Sequence, residues 1–359
     1  MVTCHTEFSG FDLYSKMSLP VIAQQEKLDY VFSTIYSTYT LMGALLNGFL
    51  LSLIILHKQQ AIQRYRILLG NTTCTLLLLS IMTFFIQPRF VMAANSLAYV
   101  PLGPARFINR PLLSLFATAL MFVSDIYSFM TLAMCMVYKY ITLTRTSPSS
   151  KTISGAIGLL FLLPLSSGGA LIIYSPDFTK LYATMETVHP EYNLSRYGKY
   201  SGVPDVKNYY VLYFYVVVCS IAGLSYIIMI ITGLKIRWYV LSNYSNMSRN
   251  TTRTFNMMIK ALVIQSCMPI LFSFPTKTVY FLMQFGLFES LTAEYLVFFV
   301  SPMIVVVDPC VTMYYVLPYR NFILRKLRLD ENNSFCRNVS VQPTLPIRTF
   351  KNTFSSEGA

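Results

Sequence analysis

Apolar residues along this chain are gathered into long blocks, each broken only by small, hydroxyl or amide residues, prolines and a few charges. Seven such blocks cover residues 30–56, 67–87, 111–138, 153–174, 209–234, 259–284 and 293–317. About 20 apolar residues let a helix cross a bilayer while it satisfies its own backbone hydrogen bonds. No segment alternates in polarity as the strands of a membrane barrel do. The pattern predicts an all-α membrane protein with a bundle of seven transmembrane helices.

Composition agrees with this interpretation. The chain has 359 residues, of which 54% are hydrophobic and 12% are charged, whereas about 25% of the residues of a soluble domain are charged. Residues 1–29 carry several charges and lack the apolar core of a signal peptide, so we expect no cleavage there. The sequence therefore predicts three parts: an N-terminus over residues 1–29, a membrane domain over residues 30–317 and a tail over residues 318–359.

The basic residues predict which way the chain crosses the membrane. The loops after the first, third and fifth blocks and the tail hold 18 lysines and arginines, against nine in the N-terminus and the other loops. Cytoplasmic loops carry such an excess, so we expect the N-terminus outside and the tail in the cytosol. The net charge of +13 then reflects topology and contact with the lipid bilayer, and nucleic-acid binding is not expected.

Glycosylation and cysteine pairing depend on this orientation. Asn193, in Asn193-Leu194-Ser195, is the one Asn-x-Ser/Thr site that falls in a predicted outer loop, so it is the predicted glycosylation site. Five cysteines lie within the apolar blocks, with Cys4 predicted outside and Cys336 inside. An extracellular disulfide within one chain is therefore not expected.

Enzymatic and metal-binding patterns are absent from the sequence. The three histidines stand apart from one another, and no Gly-rich phosphate loop or Ser-His-Asp set occurs. We therefore expect no catalytic activity, no cofactor and no metal site.

Three ionisable residues interrupt the apolar blocks, and such residues in membrane helices are usually functional. Asp125 lies in the third block, Lys277 in the sixth and Asp308 in the seventh. Hydrogen bonding between helices is the alternative role for each. Asp125 and Lys277 are predicted about 22 Å and about 10 Å below the outer surface, which argues against a direct ion pair.

We predict a binding pocket in the outer half, between the third, fifth, sixth and seventh helices. Asp125 would form its floor and Lys277 would lie nearer its mouth. The predicted walls are apolar and suit a small, largely apolar ligand with few polar groups. They comprise Met121, Phe122, Phe272, Phe274, Tyr280 and Phe281.

A conformational switch is predicted nearer the cytosol. Asp308 and Asn47 lie at similar depths, Asn71 is somewhat shallower, and Pro309 removes a backbone donor beside Asp308. A polar cluster next to a helix kink gives two arrangements of similar energy. After Pro318, the apolar side chains of Tyr319, Phe322 and Ile323 alternate with basic ones, which predicts a short amphipathic helix on the inner leaflet. Cys336 beyond it is a candidate for palmitoylation.

Several short motifs resemble those of the nematode serpentine chemoreceptors, and most closely the Srd type. They are YRILLGNTT at Tyr65–Thr73, QPRF at Gln87–Phe90, GPARF at Gly103–Phe107, YKY at Tyr138–Tyr140, and DP…PYR from Asp308 to Arg320. The resemblance implies a G-protein-coupled chemosensory receptor in the plasma membrane of sensory-neuron cilia. Its implied partners are a heterotrimeric G protein and an odorant or pheromone-like small molecule.

The resemblance also implies roles for particular residues. Lys139 stands where a basic residue contacts the G protein, and Asp308-Pro309 where a proline switch lies. Around Lys139, positive charge comes from Arg237, Arg249, Arg253 and Lys260, and Tyr138 belongs to the same contact region.

The sequence departs from the related patterns at several positions. Tyr-Lys-Tyr replaces the Asp-Arg-Tyr of rhodopsin-like receptors, Thr312 replaces a tyrosine, and Leu76 lies near the position of an expected aspartate. The cysteines expected near Ala105 and at the start of the third helix are missing.

Two other functions fit seven apolar helices. A secondary, proton-coupled transporter of a small solute would use Asp125, Lys277 and Asp308 as a proton path, but the chain lacks the internal repeats of such proteins. A ligand-gated channel would place the tail outside, against the charge distribution.

Overall fold

The computed structural model describes residues 8–56, 63–93, 95–145, 148–174, 176–242, 260, 263–265, 267–288 and 290–326. Within these residues, six helical segments are long and apolar enough to cross a membrane: 21–56, 64–86, 111–144, 150–173, 209–242 and 291–315. They match six of the seven predicted spans. The helical bundle is therefore confirmed.

The helices are numbered in chain order. They are α1 (Phe8–Leu56), α2 (Gln63–Ile86), α3 (Pro111–Thr144), α4 (Ser150–Ile173), α5 (Phe178–Val188), α6 (Tyr209–Ser242), α7 (Phe274–Gln284), α8 (Leu291–Phe299), α9 (Ile304–Tyr315) and α10 (Leu317–Lys326).

The predicted sixth span, residues 259–284, is described in part. Its C-terminal portion is α7, which follows a π-helical turn over Pro269–Ser273. Residues 263–265 and 267–268 are helical, and residues 259, 261, 262 and 266 lie outside the described residues. Pro269 is the first residue of this turn and Pro275 lies in the first turn of α7. Proline removes the backbone donor that regular α-helical bonding needs.

Helix α3 lies at the centre of the bundle. In its apolar window 72% of the residues are buried, against 28% in α4 and in α6. Helix α4 packs closely against it at Gly168, where an added Cβ would come within 2.4 Å of Val123 Cγ2. Because α3 contacts α2, α4 and α6, its side chains reach both halves of the bundle.

A small β-sheet, which the sequence analysis did not predict, covers one end of the bundle. Strands β1 (Pro88–Ala93) and β2 (Ser96–Pro101) form an antiparallel hairpin, and β3 (Ser201–Val203) pairs with β2. The pairing sets Phe90 opposite Tyr99 and Ala98 opposite Gly202. A Cβ at Gly202 would lie 2.3 Å from the Leu97 carbonyl oxygen, so this close strand approach requires glycine.

The last helices confirm the amphipathic segment after the seventh span. Helix α9 contains Pro309 and ends at Tyr315, and α10 begins at Leu317. Tyr319 is fully buried, and with Phe322 and Ile323 it packs on Leu50 and Leu53 of α1. Cys336 lies outside the described residues.

Candidate functional site

A cavity of about 100 Å³ lies beneath the sheet, between α3, α6, α7, α8 and the turn after α8. Its walls are mostly aromatic and aliphatic. It is lined by Phe90, Leu97, Tyr99, Phe122, Asp125, Ile126, Phe214, Tyr215, Val218, Cys219, Thr276, Lys277, Tyr280, Phe281, Val297, Phe298 and Ser301. An apolar cavity with a few polar groups is the usual form of a small-molecule site.

The hairpin forms the cover of this cavity. Phe90 of β1 and Tyr99 of β2 both contribute to its lining, and their ring centroids lie 5.5 Å apart. Phe122 of α3 joins them to the bundle, with its ring 5.9 Å from Tyr99 and 5.6 Å from Phe298. The position of the cover is thus coupled to α3 and α8 by aromatic packing.

One acidic and one basic side chain, Asp125 and Lys277, enter this otherwise apolar space. The Ser301 hydroxyl donates a hydrogen bond of 2.9 Å to Asp125 Oδ1. Lys277 Nζ donates to the Ser273 hydroxyl and lies 5.4 Å from the centroid of the Phe129 ring. No ion pair within 4.0 Å joins either side chain to a described residue.

The predicted wall residues divide into two groups. Phe122, Tyr280 and Phe281 line the cavity, beside Asp125 and Lys277. Met121 does not, because adjacent residues on a helix point about 100° apart and its side chain is buried in the core. Phe274, the first residue of α7, is 69% exposed, and Phe272 packs against the core below.

Sequence analysis missed the lining residues of the hairpin and of α6. Phe90 belongs to the QPRF motif, which carries the family resemblance but gives no local sign of a strand or of a cavity wall. Phe214 and Tyr215 directly follow the Tyr209–Tyr213 group, whose aromatic character is typical of a membrane interface. The signal that could have indicated their role was that Phe214 and Tyr215 lie deeper in the helix than Tyr209 and Tyr210.

The predicted switch residues lie in the bundle but bind separate partners. Asn47 Nδ2 donates to the carbonyl oxygens of Gly43 and Val305, at 2.8 and 2.7 Å. Asn71 Nδ2 donates to the Tyr127 hydroxyl at 3.1 Å. Asp308 Oδ1 accepts a hydrogen bond of 3.3 Å from Gln265 Nε2. The direct hydrogen bonds of the three side chains go to different partners, and a polar cluster that they share through water stays a prediction.

Gln265 links two of the predicted functional residues. Its Oε1 accepts a hydrogen bond of 3.1 Å from Lys139 Nζ, while its Nε2 binds Asp308. A neutral amide therefore bridges a base on α3 and an acid on α9. Lys139 also lies 5.6 Å from the centroid of Tyr65, whose ring stacks on Tyr138.

The remaining residues predicted to contact a G protein are only partly described. The side chains of Arg237 and Lys260 are exposed. Arg249 and Arg253 lie outside the described residues.

A second charged group, which we call the outer latch, fastens the hairpin to the bundle. It consists of Asp29, Arg89, Arg196, Tyr197 and Glu294. Arg89 of β1 is fully buried, and its Nε and Nη2 donate to Glu294 Oε2 at 2.9 and 2.7 Å. Tyr197 and Arg196 bind Asp29 of α1, at 2.5 and 2.7 Å. The latch thereby joins α1, the hairpin, the loop before β3, and α8.

Tyrosine rings complete this arrangement. The Arg89 guanidinium lies 5.0 Å from the ring centroid of Tyr192 and 4.8 Å from that of Tyr295. The Tyr295 hydroxyl donates to Asp29 Oδ1 at 2.6 Å. Burial raises the pKa of Tyr197 to about 12, and its bond to Asp29 acts in the same direction. Tyr197 therefore stays protonated and donates at neutral pH.

Comparison with known proteins adds independent information. The profile of the family described as "Serpentine type 7TM GPCR chemoreceptor Srd" matches residues 32–325. Serpentine receptor class delta-32 of Caenorhabditis elegans is 26% identical over 309 residues, covering 84% of this chain and 89% of the relative. Serpentine receptor class delta-33 of the same organism is 26% identical over 315 residues, covering 86% and 90%.

Among solved structures, the fold is similar to that of squid rhodopsin. The TM-score is 0.50 at 13% sequence identity, and the match covers 87% of this chain and 88% of the rhodopsin chain. At this identity the similarity concerns the fold alone.

Proposed function

The chain belongs to the Srd family of serpentine seven-transmembrane chemoreceptors, and we propose that it binds a small, largely apolar ligand and signals through a heterotrimeric G protein. We place it in the plasma membrane of sensory-neuron cilia, with the N-terminus and the hairpin outside and residues 318–359 in the cytosol. The observation that carries this proposal is the covered apolar cavity that contains Asp125 and Lys277.

The position of the cavity suits a receptor. It borders α3, α6, α7 and α8 together, so a ligand inside it contacts several helices at once. A ligand shifts a conformational equilibrium only when it binds one arrangement better than another. Because α3 also carries Lys139 at its other end, a change in α3 reaches the proposed G-protein side.

The first experiment measures ligand-evoked G-protein activation in cells that express the receptor, after a screen of small volatile and water-soluble compounds. We expect Asp125→Ala and Lys277→Met each to weaken the response about tenfold or more, since hydrogen bonds to charged groups contribute roughly 1.5–3 kcal/mol. Asp125→Asn separates a requirement for charge from a requirement for hydrogen bonding.

Lys180→Met is the matched control, because Lys180 is an exposed residue of α5 outside the cavity lining. It should leave the response unchanged at equal surface expression. If all three cavity variants respond to an identified ligand like the wild type, the binding site proposed here is wrong.

A further inference from the structure

We propose that the cavity binds a small alcohol, with the alcohol hydroxyl placed between Asp125 and Lys277. This inference rests on the proposed function, because it names the chemical class of the ligand for the same site. Three features of the cavity carry it: its charge balance, the unused hydrogen-bonding capacity of the two charged groups, and its volume.

The charge balance favours a neutral ligand. Among the lining residues, Asp125 is the acid and Lys277 the base. An unpaired charge in an apolar environment is costly. A carboxylate or an ammonium ligand would leave the cavity with an uncompensated charge, whereas a neutral ligand would not.

The hydrogen-bonding capacity selects the functional group. Asp125 accepts from Ser301, and Lys277 donates to Ser273. A carboxylate has about four acceptor sites and an ammonium has three donors, so both retain capacity. A hydroxyl group can donate to Asp125 and accept from Lys277, whereas an aldehyde oxygen can only accept. A zwitterion is also neutral, but each of its charged ends needs several polar partners, and these walls are mostly aromatic.

The volume limits the length of the apolar part. A dry cavity of about 150 Å³ holds benzene, which has six heavy atoms. The cavity here measures about 100 Å³, so about four heavy atoms fit in proportion and about six are the upper limit. Phe122, Phe214 and Phe298 would then surround the alkyl chain.

The experiment compares 1-pentanol, pentanal, pentylamine, pentanoate, 1-decanol and glycine on purified full-length receptor in lipid nanodiscs. Dissociation constants are taken from ligand-dependent thermal unfolding. We expect 1-pentanol to bind wild type about tenfold more tightly than each of the others. Lys180→Met, which leaves the cavity intact, should keep this preference.

Two variants test the charge balance directly. Asp125→Asn leaves Lys277 unbalanced, so pentanoate should become the preferred member of the series. Lys277→Met leaves Asp125 unbalanced, so pentylamine should become preferred. This exchange of preference is not expected from a purely structural role of either residue.

Several results would overturn the inference. One is that pentanoate, pentylamine, pentanal or glycine binds the wild type most tightly, and another is that 1-decanol binds as tightly as 1-pentanol. The others are that both variants still prefer 1-pentanol, or that no compound binds. The G-protein assay screens a wider set of compounds, so it tests the proposed function even if the cavity does not bind alcohols.

Discussion

Arg89 is the residue in the described structure whose environment is most unusual for its type. It is fully buried, although arginine is almost never buried unless it is paired. Burial alone would lower the pKa of Arg89, but the neighbouring Glu294 carboxylate more than offsets this effect and raises the pKa above its ordinary value. The Arg89 guanidinium therefore stays charged at neutral pH.

Replacing Arg89 should destabilise the protein strongly. Arg89→Met leaves Glu294 as an uncompensated buried charge, and breaking a buried pair from one side costs roughly 3–5 kcal/mol. We expect a lower midpoint of thermal unfolding for the purified receptor and reduced surface expression.

The control for this change is Arg106→Met, because Arg106 is exposed and such substitutions usually stay within about 0.5 kcal/mol. The double variant Arg89→Met/Glu294→Leu should be more stable than Arg89→Met alone. Equal stability of Arg89→Met and wild type would show that the pair of Arg89 and Glu294 does not stabilise the protein.

The sequence indicated which charged residues within the spans are candidates for a functional role, but it did not indicate which side chains they contact. Asp125, Lys277 and Asp308 stand out because a charge in an apolar block is conspicuous without any structure. Arg89 lies just outside such a block. No neighbouring residue in the sequence indicates that Arg89 pairs with Glu294, which comes 205 positions later. Pairing of that kind depends on tertiary packing.

At the scale of elements, the segment around Gln265 is a candidate for the moving part. Helical residues 263–265 are followed by the π-helical turn at Pro269–Ser273 and then by α7. Single π-helical turns within helices are frequent at functional sites, and they bend the helix. The bridge from Lys139 through Gln265 to Asp308 ties this segment to α3 and α9.

Removing the bridge should raise ligand-independent signalling. Gln265→Leu replaces the amide with an apolar side chain of similar size and so loses both hydrogen bonds. Each of these bonds goes to an ionisable group, and a hydrogen bond to a charged group contributes roughly 1.5–3 kcal/mol. We expect basal G-protein activation to increase severalfold at matched surface expression, because the segment is released and Lys139 becomes available.

Lys139→Ala provides the contrast, since it also breaks the bridge but removes the base proposed to contact the G protein. It should reduce ligand-evoked signalling while leaving surface expression intact. Basal activity of Gln265→Leu equal to that of wild type would argue against a restraining role for the bridge.

The hairpin shows where prediction of elements from sequence ended. The membrane-spanning helices are long and apolar, so their pattern alone predicted them. Strands β1 and β2 have six residues each and are buried on both faces, so they lack the alternation that reveals a half-buried strand. Their partner β3 lies about 100 residues later, beyond the reach of any local pattern.

At the scale of the whole molecule, orientation in the membrane can be tested at one residue. Asn193 is exposed in the loop before β3, with a backbone φ of 42°, and we predict that it alone carries a glycan. Asn193→Gln should abolish the mobility shift caused by glycosidase treatment of the expressed receptor.

Five sequons in the predicted cytosolic segments serve as internal controls. Asn243, Asn246, Asn250, Asn332 and Asn338 lie outside the described residues and are predicted to be cytosolic. A glycan at Asn243 or Asn338 would reverse the orientation, and with it the side from which the ligand enters.

The outer latch also has a consequence for how the receptor is made. None of the five described cysteines forms a disulfide, and the cover over the cavity is fixed by hydrogen bonds, ion pairs and aromatic packing. Disulfide formation takes seconds to hours and needs an oxidant, whereas a hairpin forms within microseconds. The hairpin that covers the cavity can thus reach its position without oxidative folding, and a reducing environment would leave these contacts in place.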